Sequence, residues 1–141
     1  MTAIEKLANL VTFDPDCKYE LYDDTINSKD SDYHPGIDLY AAEAFSCSNG
    51  VVIATGTDGV TYSVTVQQDA NTIFRYCNLS ILYISAGAEV QTGFRIGSAQ
   101  KYIHFEYCTR EQAESKWCVR IGTEQYYKHD PLILFGDDND G

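Results

Sequence analysis

The sequence is poor in positive charge: ten Lys and Arg residues stand against 21 Asp and Glu residues, and the formal net charge at pH 7 is −11. A chain with this balance repels the phosphates of nucleic acids and of anionic membranes, so we expect neither among its partners. Much of the negative charge lies at residues 23–32 and 137–140. Such runs are typical of solvated loops and chain tails.

Long apolar runs are lacking as well. No run approaches the ~20 apolar residues that a membrane-spanning helix needs, so we expect no membrane insertion. Residues 2–10 include Glu5 and Lys6 instead of the apolar centre of a signal peptide. The sequence therefore predicts a protein made in the cytoplasm without a signal peptide.

The cysteines show no C-x-x-C spacing, and their number, five, is odd. These features disfavour both a disulfide framework and a cysteine-ligated zinc cluster. We expect buried free thiols at these positions. The cysteines are Cys17, Cys47, Cys77, Cys108 and Cys118.

The sequence instead carries patterns that are typical of β-strands. Apolar and polar residues alternate with a period of two over residues 60–66, and turn-forming residues stand before and after this segment. Residues 72–76 are predicted to form the strand that returns antiparallel to it. Together with an apolar run at 51–54, this pattern predicts an antiparallel meander with one buried face. Capping-box patterns predict short helices at 2–11 and 109–117. For 141 residues we expect one all-β domain, a two-sheet antiparallel sandwich or open barrel with short flanking helices.

Two separated motifs carry the chemistry. Residues 34–38 read His-Pro-Gly-Ile-Asp, and residues 102–106 read Tyr-Ile-His-Phe-Glu. Together His34, Asp38 and His104 offer two nitrogens and one oxygen, which suits a zinc ion with an open fourth position. Neither motif is specific alone, because such a surface pair arises by chance and a lone strand histidine is usually structural.

In their order and context these motifs resemble the lysostaphin-like (LytM-like) zinc metallopeptidases, which cut peptide cross-bridges in bacterial cell walls. The resemblance extends over roughly residues 34–107, including the strand at 49–54 and the glycine-flanked segment Val-Gln-Thr-Gly-Phe-Arg-Ile-Gly at 90–97. It implies a two-sheet fold of the lysostaphin-like (duplicated hybrid motif) type. The implied division is an N-terminal helix and acidic loop at 1–33, a peptidase-like domain at 34–136 and an acidic tail at 137–141.

The resemblance also assigns roles. It implies one zinc ion held by His34, Asp38 and His104. Two other family histidines, which handle protons around the zinc-bound water, fall at Asn78 and Tyr102. An amide cannot exchange a proton, and a phenol with a pKa of about 10 is a poor base near pH 7. Because one general acid–base group is worth ~10²–10⁴-fold in rate, losing both predicts a degenerate catalytic site.

No substitute for the missing histidines is expected. Glu106 stands at the family's own glutamate position, which implies that it supports the zinc ligand His104 without binding the metal itself. His129 is predicted to lie in a loop, and nothing in the sequence requires Tyr33 to act. Cys77 precedes Asn78, so in a regular strand its side chain points to the opposite face. The short segment 98–103 also predicts a trimmed wall of the substrate groove.

The sequence therefore favours a catalytically degenerate peptidase domain that serves as a structural or binding component and still has the residues to bind zinc. Without a signal peptide, we expect a phage or phage-tail-like particle, near the tail tip or baseplate, with other virion subunits and peptidoglycan as candidate partners. Two alternatives stay open. In the first, the domain is an active zinc-dependent peptidoglycan endopeptidase. In the second, it activates a separate cell-wall hydrolase.

Overall fold

The computed structural model describes residues 11–13, 37–39, 41–100, 102–113 and 118–129, with side chains described from residue 42 onwards. Residues 2–10 of the helix predicted at 2–11, the first motif residues 34–36 and the closing segment 130–141 lie outside these ranges. The described residues form strands and connecting turns. The strands are β1 (Val11–Phe13), β2 (Ile37–Leu39), β3 (Ala41–Phe45), β4 (Gly50–Thr57), β5 (Tyr62–Gln67), β6 (Thr72–Leu79), β7 (Ile81–Leu82), β8 (Glu89–Val90), β9 (Arg95–Ser98), β10 (Ile103–Thr109), β11 (Cys118–Ile121) and β12 (Glu124–His129).

Two antiparallel sheets make up the fold. The small sheet has the order β1-β3-β9-β7, and the large sheet has the order β11-β12-β10-β6-β5-β4-β8. The short strand β2 pairs with β10 in the large sheet. The predicted all-β, two-sheet architecture is confirmed, and the predicted meander is strands β4, β5 and β6.

The main core lies between the two sheets. Alternate residues of β5, β6 and β10 bring Val64, Phe74 and Phe105 to one face of the large sheet, where they pack with Ala44 and Ile96 of the small sheet. Each of these side chains is 2% exposed or less. This burial removes their apolar surface from water and fixes which face of β6 and β10 points away from the core.

The buried Tyr76 joins the two layers. Its ring packs against Phe105, with centroids 5.3 Å apart, and its hydroxyl accepts a 2.8 Å hydrogen bond from the Cys47 backbone N–H. The phenolic oxygen is thus satisfied although the side chain is fully buried. Its contacts hold β6 in register beneath the segment that follows β3.

The helix predictions fail where they can be checked. Val11 begins strand β1, and Thr109 ends strand β10. The Thr109 hydroxyl accepts a 3.2 Å hydrogen bond from the Glu111 N–H and so forms a local turn in place of a helix cap. Ala113 has a φ of 48°, which a right-handed helix excludes. In the ranges given above, no helix is long and apolar enough to cross a membrane.

The described cysteines, Cys47, Cys77, Cys108 and Cys118, form no disulfide with one another, but the predicted burial holds fully only for Cys108. Cys108 is buried, Cys47 and Cys77 are partly buried, and Cys118 is exposed. Burial raises the pKa of Cys47 to about 12, even though its side-chain hydrogen bond to Tyr76 acts to lower it. Burial likewise raises the pKa of Cys108.

Candidate metal centre and adjoining groove

One row of residues crosses three neighbouring strands on the face of the large sheet that points away from the core. His104 of β10 lies opposite Asp38 of β2 on one side and opposite Cys77 of β6 on the other. Positions directly opposite each other in an antiparallel pair share a face and have Cβ atoms about 4.5–5.5 Å apart. The structure therefore brings the positions of two predicted ligands together. His34 and the Asp38 side chain lie outside the described part.

His104 is held by Glu106, the residue predicted to act beside it. Its Nε2 lies 2.7 Å from Oε2 of Glu106, two residues further along β10. Glu106 is 3% exposed and also pairs with Arg75 at 2.5 Å and Lys128 at 3.2 Å. Because an ionised carboxylate can only accept, Nε2 carries the proton in this contact, and Nδ1 is the nitrogen with which His104 would bind a metal.

The surroundings of Glu106 keep it ionised. Burial would raise the pKa of this carboxyl, but the hydrogen bond from His104 and the charges of Lys128, His104 and Arg75 outweigh burial and lower it from 4.5 to about 2. The carboxylate charge is therefore fixed across the physiological pH range. A charged acceptor beneath a histidine sets both its tautomer and its ring orientation.

The donors that can be assessed fit a zinc ion. Metal-binding histidines usually donate their other ring N–H to a carboxylate, and His104 has this arrangement with Glu106. Among the described side chains, no group of three His, Cys, Asp or Glu residues is arranged to hold a metal ion. Two of the three predicted ligands are not in that set, so the fit rests on His104, its carboxylate partner and the register of Asp38.

Asn78 and Tyr102, the positions at which the sequence predicts missing histidines, lie side by side. Asn78, the last but one residue of β6, has a φ of 67°, a left-handed conformation that Asn tolerates better than most residues. Its amide Nδ2 donates a 3.0 Å hydrogen bond to the backbone carbonyl of Tyr102. The amide thus ties the end of β6 to the start of β10, which is a structural task.

A groove runs past these positions. One cavity of about 360 Å³ is bordered by Tyr62, Cys77 and Asn78, and a second of about 440 Å³ by Val60, Asn78 and Tyr102. Val60 is 83% exposed and Tyr62 41%. Among the described residues that border these cavities, Asp58 at the hairpin tip carries a charge, and the others are polar, aromatic or aliphatic. A larger recess of about 650 Å³, at the β4–β8 edge, is remote from this chemistry.

Cys77 borders the groove, contrary to the expectation that it would point away from Asn78. The expectation assumed a regular strand, and the left-handed backbone at Asn78 breaks the alternation. Both residues therefore line one cavity. Sequence reasoning also missed Arg75 and Lys128. They alternate with apolar residues along their strands, but only the register shows that they meet Glu106.

Comparison with known proteins matches this architecture to a class of peptidases. Residues 32–115, more than half of the chain, match Peptidase family M23. The chain belongs to this family, and the resemblance to the lysostaphin-like enzymes is confirmed. No curated protein sequence matches the chain at a significant level.

Several solved structures share the fold. A zinc-containing peptidase from Vibrio cholerae is 15% identical with a TM-score of 0.62, over 88% of this chain and 38% of that chain. A mutant catalytic domain of the prophage-encoded M23 protein EnpA from Enterococcus faecalis is 18% identical with a TM-score of 0.56, over 72% and 88%. The SpoIIQ–SpoIIIAH pore-forming complex contains a chain 21% identical with a TM-score of 0.55, over 97% and 77%. The chain thus spans well under half of the Vibrio peptidase.

Proposed function

We propose that this domain is a non-hydrolytic member of Peptidase family M23 that acts as a structural or binding component. The observation that carries the proposal is the pairing of Asn78 with Tyr102. Neither side chain can exchange a proton near pH 7, and the Asn78 amide is engaged with the Tyr102 carbonyl. The imidazole on this strand, His104, has its Nε2 engaged by Glu106.

The metal-holding half of the site is retained in this proposal. His34, Asp38 and His104 hold one zinc ion, and Glu106 orients His104 beneath it. Such an ion supplies Lewis acidity in an active peptidase, whereas here it joins the first motif to β10 and stabilises the fold. The register of Asp38 against His104 supports this role.

The setting that we propose is a phage or phage-tail-like particle, with the domain near the tail tip or baseplate and bound to other protein subunits. Two fold relatives support it: one is prophage-encoded, and another is part of a pore-forming complex. The net charge of −11 favours a basic protein partner. The groove beside Tyr102, whose described lining residues are uncharged, would accept a peptide or peptidoglycan segment without cutting it.

The proposal is tested by a cleavage assay on purified cell walls and on a synthetic cross-bridge peptide, with zinc added. We expect no turnover from the wild-type chain. The double variant Asn78→His with Tyr102→His restores the two missing imidazoles. Cleavage by this variant but not by the wild type would show that the residues at these two positions account for the loss of hydrolysis. An active M23 enzyme serves as the positive control for the substrate.

A clear wild-type turnover that disappears in His34→Ala would overturn the proposal. It would favour the alternative of an active zinc-dependent endopeptidase. One observation speaks for that alternative: Tyr102 borders the 440 Å³ cavity, where its phenol could donate a hydrogen bond to an oxyanion. The assay separates the two, since binding without turnover fits only the non-hydrolytic domain.

A further inference from the structure

The row across β2, β10 and β6 holds a third residue of a metal-binding type. Cys77 lies opposite His104 on the side away from Asp38. A cysteine thiolate is a preferred zinc ligand, with a Zn–S distance of about 2.3 Å. The three zinc ligands implied by the family resemblance do not include this position.

The thiol of Cys77 is placed to reach a metal. Cys77 is partly buried and borders the 360 Å³ cavity, so its side chain lies on the groove side of the sheet and not in the core. Directly opposed residues have Cβ atoms about 4.5–5.5 Å apart, a spacing at which a cysteine and a histidine can share one metal ion.

The orientation of His104 suits the same ion. Glu106, two residues further along β10, engages Nε2, and Lys128 of β12 contacts the same carboxylate. Nδ1 is therefore the ligating nitrogen, and it is the ring nitrogen nearer the backbone. A metal at Nδ1 lies low over the sheet, within reach of a short side chain on the neighbouring strand.

The row also limits where the metal can lie. Neighbouring strands are about 4.7–4.9 Å apart, so the backbone positions of Asp38 and Cys77 are roughly 10 Å apart. A metal centred on His104 must be displaced towards one of them unless the curvature of the sheet brings both within reach. Thiolate sulfur is the stronger zinc ligand of the two.

We propose that Cys77 is a metal ligand and binds the same ion as His104. With Asp38 also bound, a thiolate in the coordination shell would occupy the position that a catalytic zinc site keeps open for water. The site would then be closed and structural. This inference rests on the proposed retention of a metal but not on the absence of hydrolysis, which the cleavage assay measures separately.

The experiment replaces zinc with Co²⁺ in the full chain after chelator treatment and dialysis. Thiolate ligation gives a sulfur-to-cobalt charge-transfer band in the near ultraviolet, and nitrogen and oxygen ligands alone do not. We expect this band in the wild type and its loss in both Cys77→Ser and Cys77→Ala. Circular dichroism of both variants would check that they remain folded.

Matched controls are Cys118→Ser, which removes an exposed thiol, and Cys17→Ser; both should keep the band. On the zinc form, X-ray absorption should show one sulfur at about 2.3 Å, absent in Cys77→Ala. Bound cobalt without the band, a band that survives both Cys77 variants, or no metal binding at all would overturn the inference. None of these results would alter the outcome of the cleavage assay.

Discussion

At the scale of single residues, Glu106 determines the character of the polar face of the large sheet. It is 3% exposed and lies among three cationic or protonatable groups, Arg75, His104 and Lys128. Taking a carboxylate out of water is costly, and these partners offset the cost only while all of them are present. The cluster therefore holds β6, β10 and β12 together through one side chain.

We predict that Glu106→Gln destabilises the domain by about 3–5 kcal/mol at pH 7, because it leaves the partly buried cations around it without their counter-charge. The pKa of Glu106 is lowered from 4.5 to about 2, so its contribution is complete above about pH 4.5 and is lost as the pH falls towards 2. The difference between wild type and variant should therefore shrink across this window. Urea unfolding at pH 7, 4 and 3 measures it.

The matched control for this prediction is Glu124→Gln, since Glu124 pairs with Arg110 at 3.2 Å but is 56% exposed. We expect this variant to stay within about 0.5 kcal/mol of wild type. A Glu106→Gln variant as stable as the wild type at pH 7 would contradict the role given to the cluster.

At the scale of strands, the sequence predicted the strands and turns that depend on local residue pattern. It did not predict the contacts that depend on how the strands pair. The alternation in residues 60–66 and the turn signals around it indicated the β4–β5–β6 meander, which is present. The helix predicted at residues 109–117 failed because the Thr109 hydroxyl that fits an N-cap also closes a turn after a strand.

The candidate site divides in the same way. The ligand-type residues His104 and Glu106 could be named from a motif, and their contact follows from their spacing on one strand. Arg75 and Lys128 could not, because their meeting with Glu106 depends on pairing across β6, β10 and β12. The side of the sheet to which Cys77 points was predicted wrongly relative to Asn78. The left-handed backbone of Asn78 breaks the regular alternation of side chains on which that prediction depended.

Strand β4 offers a test of close packing within the large sheet. A Cβ added at Gly50 would lie 2.3 Å from the backbone oxygen of Gln67 on β5, whereas one added at Gly56 would lie 3.2 Å from the Ser63 hydroxyl. Backbone cannot give way cheaply, but a serine side chain can rotate. We predict that Gly50→Ala destabilises by about 1–3 kcal/mol and that Gly56→Ala changes stability by less than about 1 kcal/mol.

Denaturant unfolding of the two β4 variants measures this difference, with equal slopes showing that the unfolded states are comparable. Both substitutions lie on one strand and add the same methyl group, so propensity effects largely cancel. Equal stability of the two variants would mean that β4 and β5 are not packed as closely as the structure shows.

At the scale of the whole molecule, strand β2 carries the described backbone pairing between the first motif and the large sheet. Strand β2 is three residues long, and in the described part of the chain it pairs with β10. A metal bound between the first motif and His104 would add a cross-link between distant parts of the sequence. The proposed zinc thus has a structural consequence that does not depend on any catalytic activity.

We therefore predict that zinc raises the thermal stability of the full chain. A ligand that binds only the folded state adds about 2.7 kcal/mol when its free concentration is about 100 times Kd, which corresponds to a rise in Tm of roughly 10 °C for a domain of this size. Differential scanning calorimetry with zinc, with chelator and with magnesium measures the shift. Magnesium controls for charge screening of the acidic chain, and His34→Ala should abolish the response to zinc while keeping any response to magnesium. Equal Tm values in zinc and in chelator would show that the retained ligand residues no longer hold a metal.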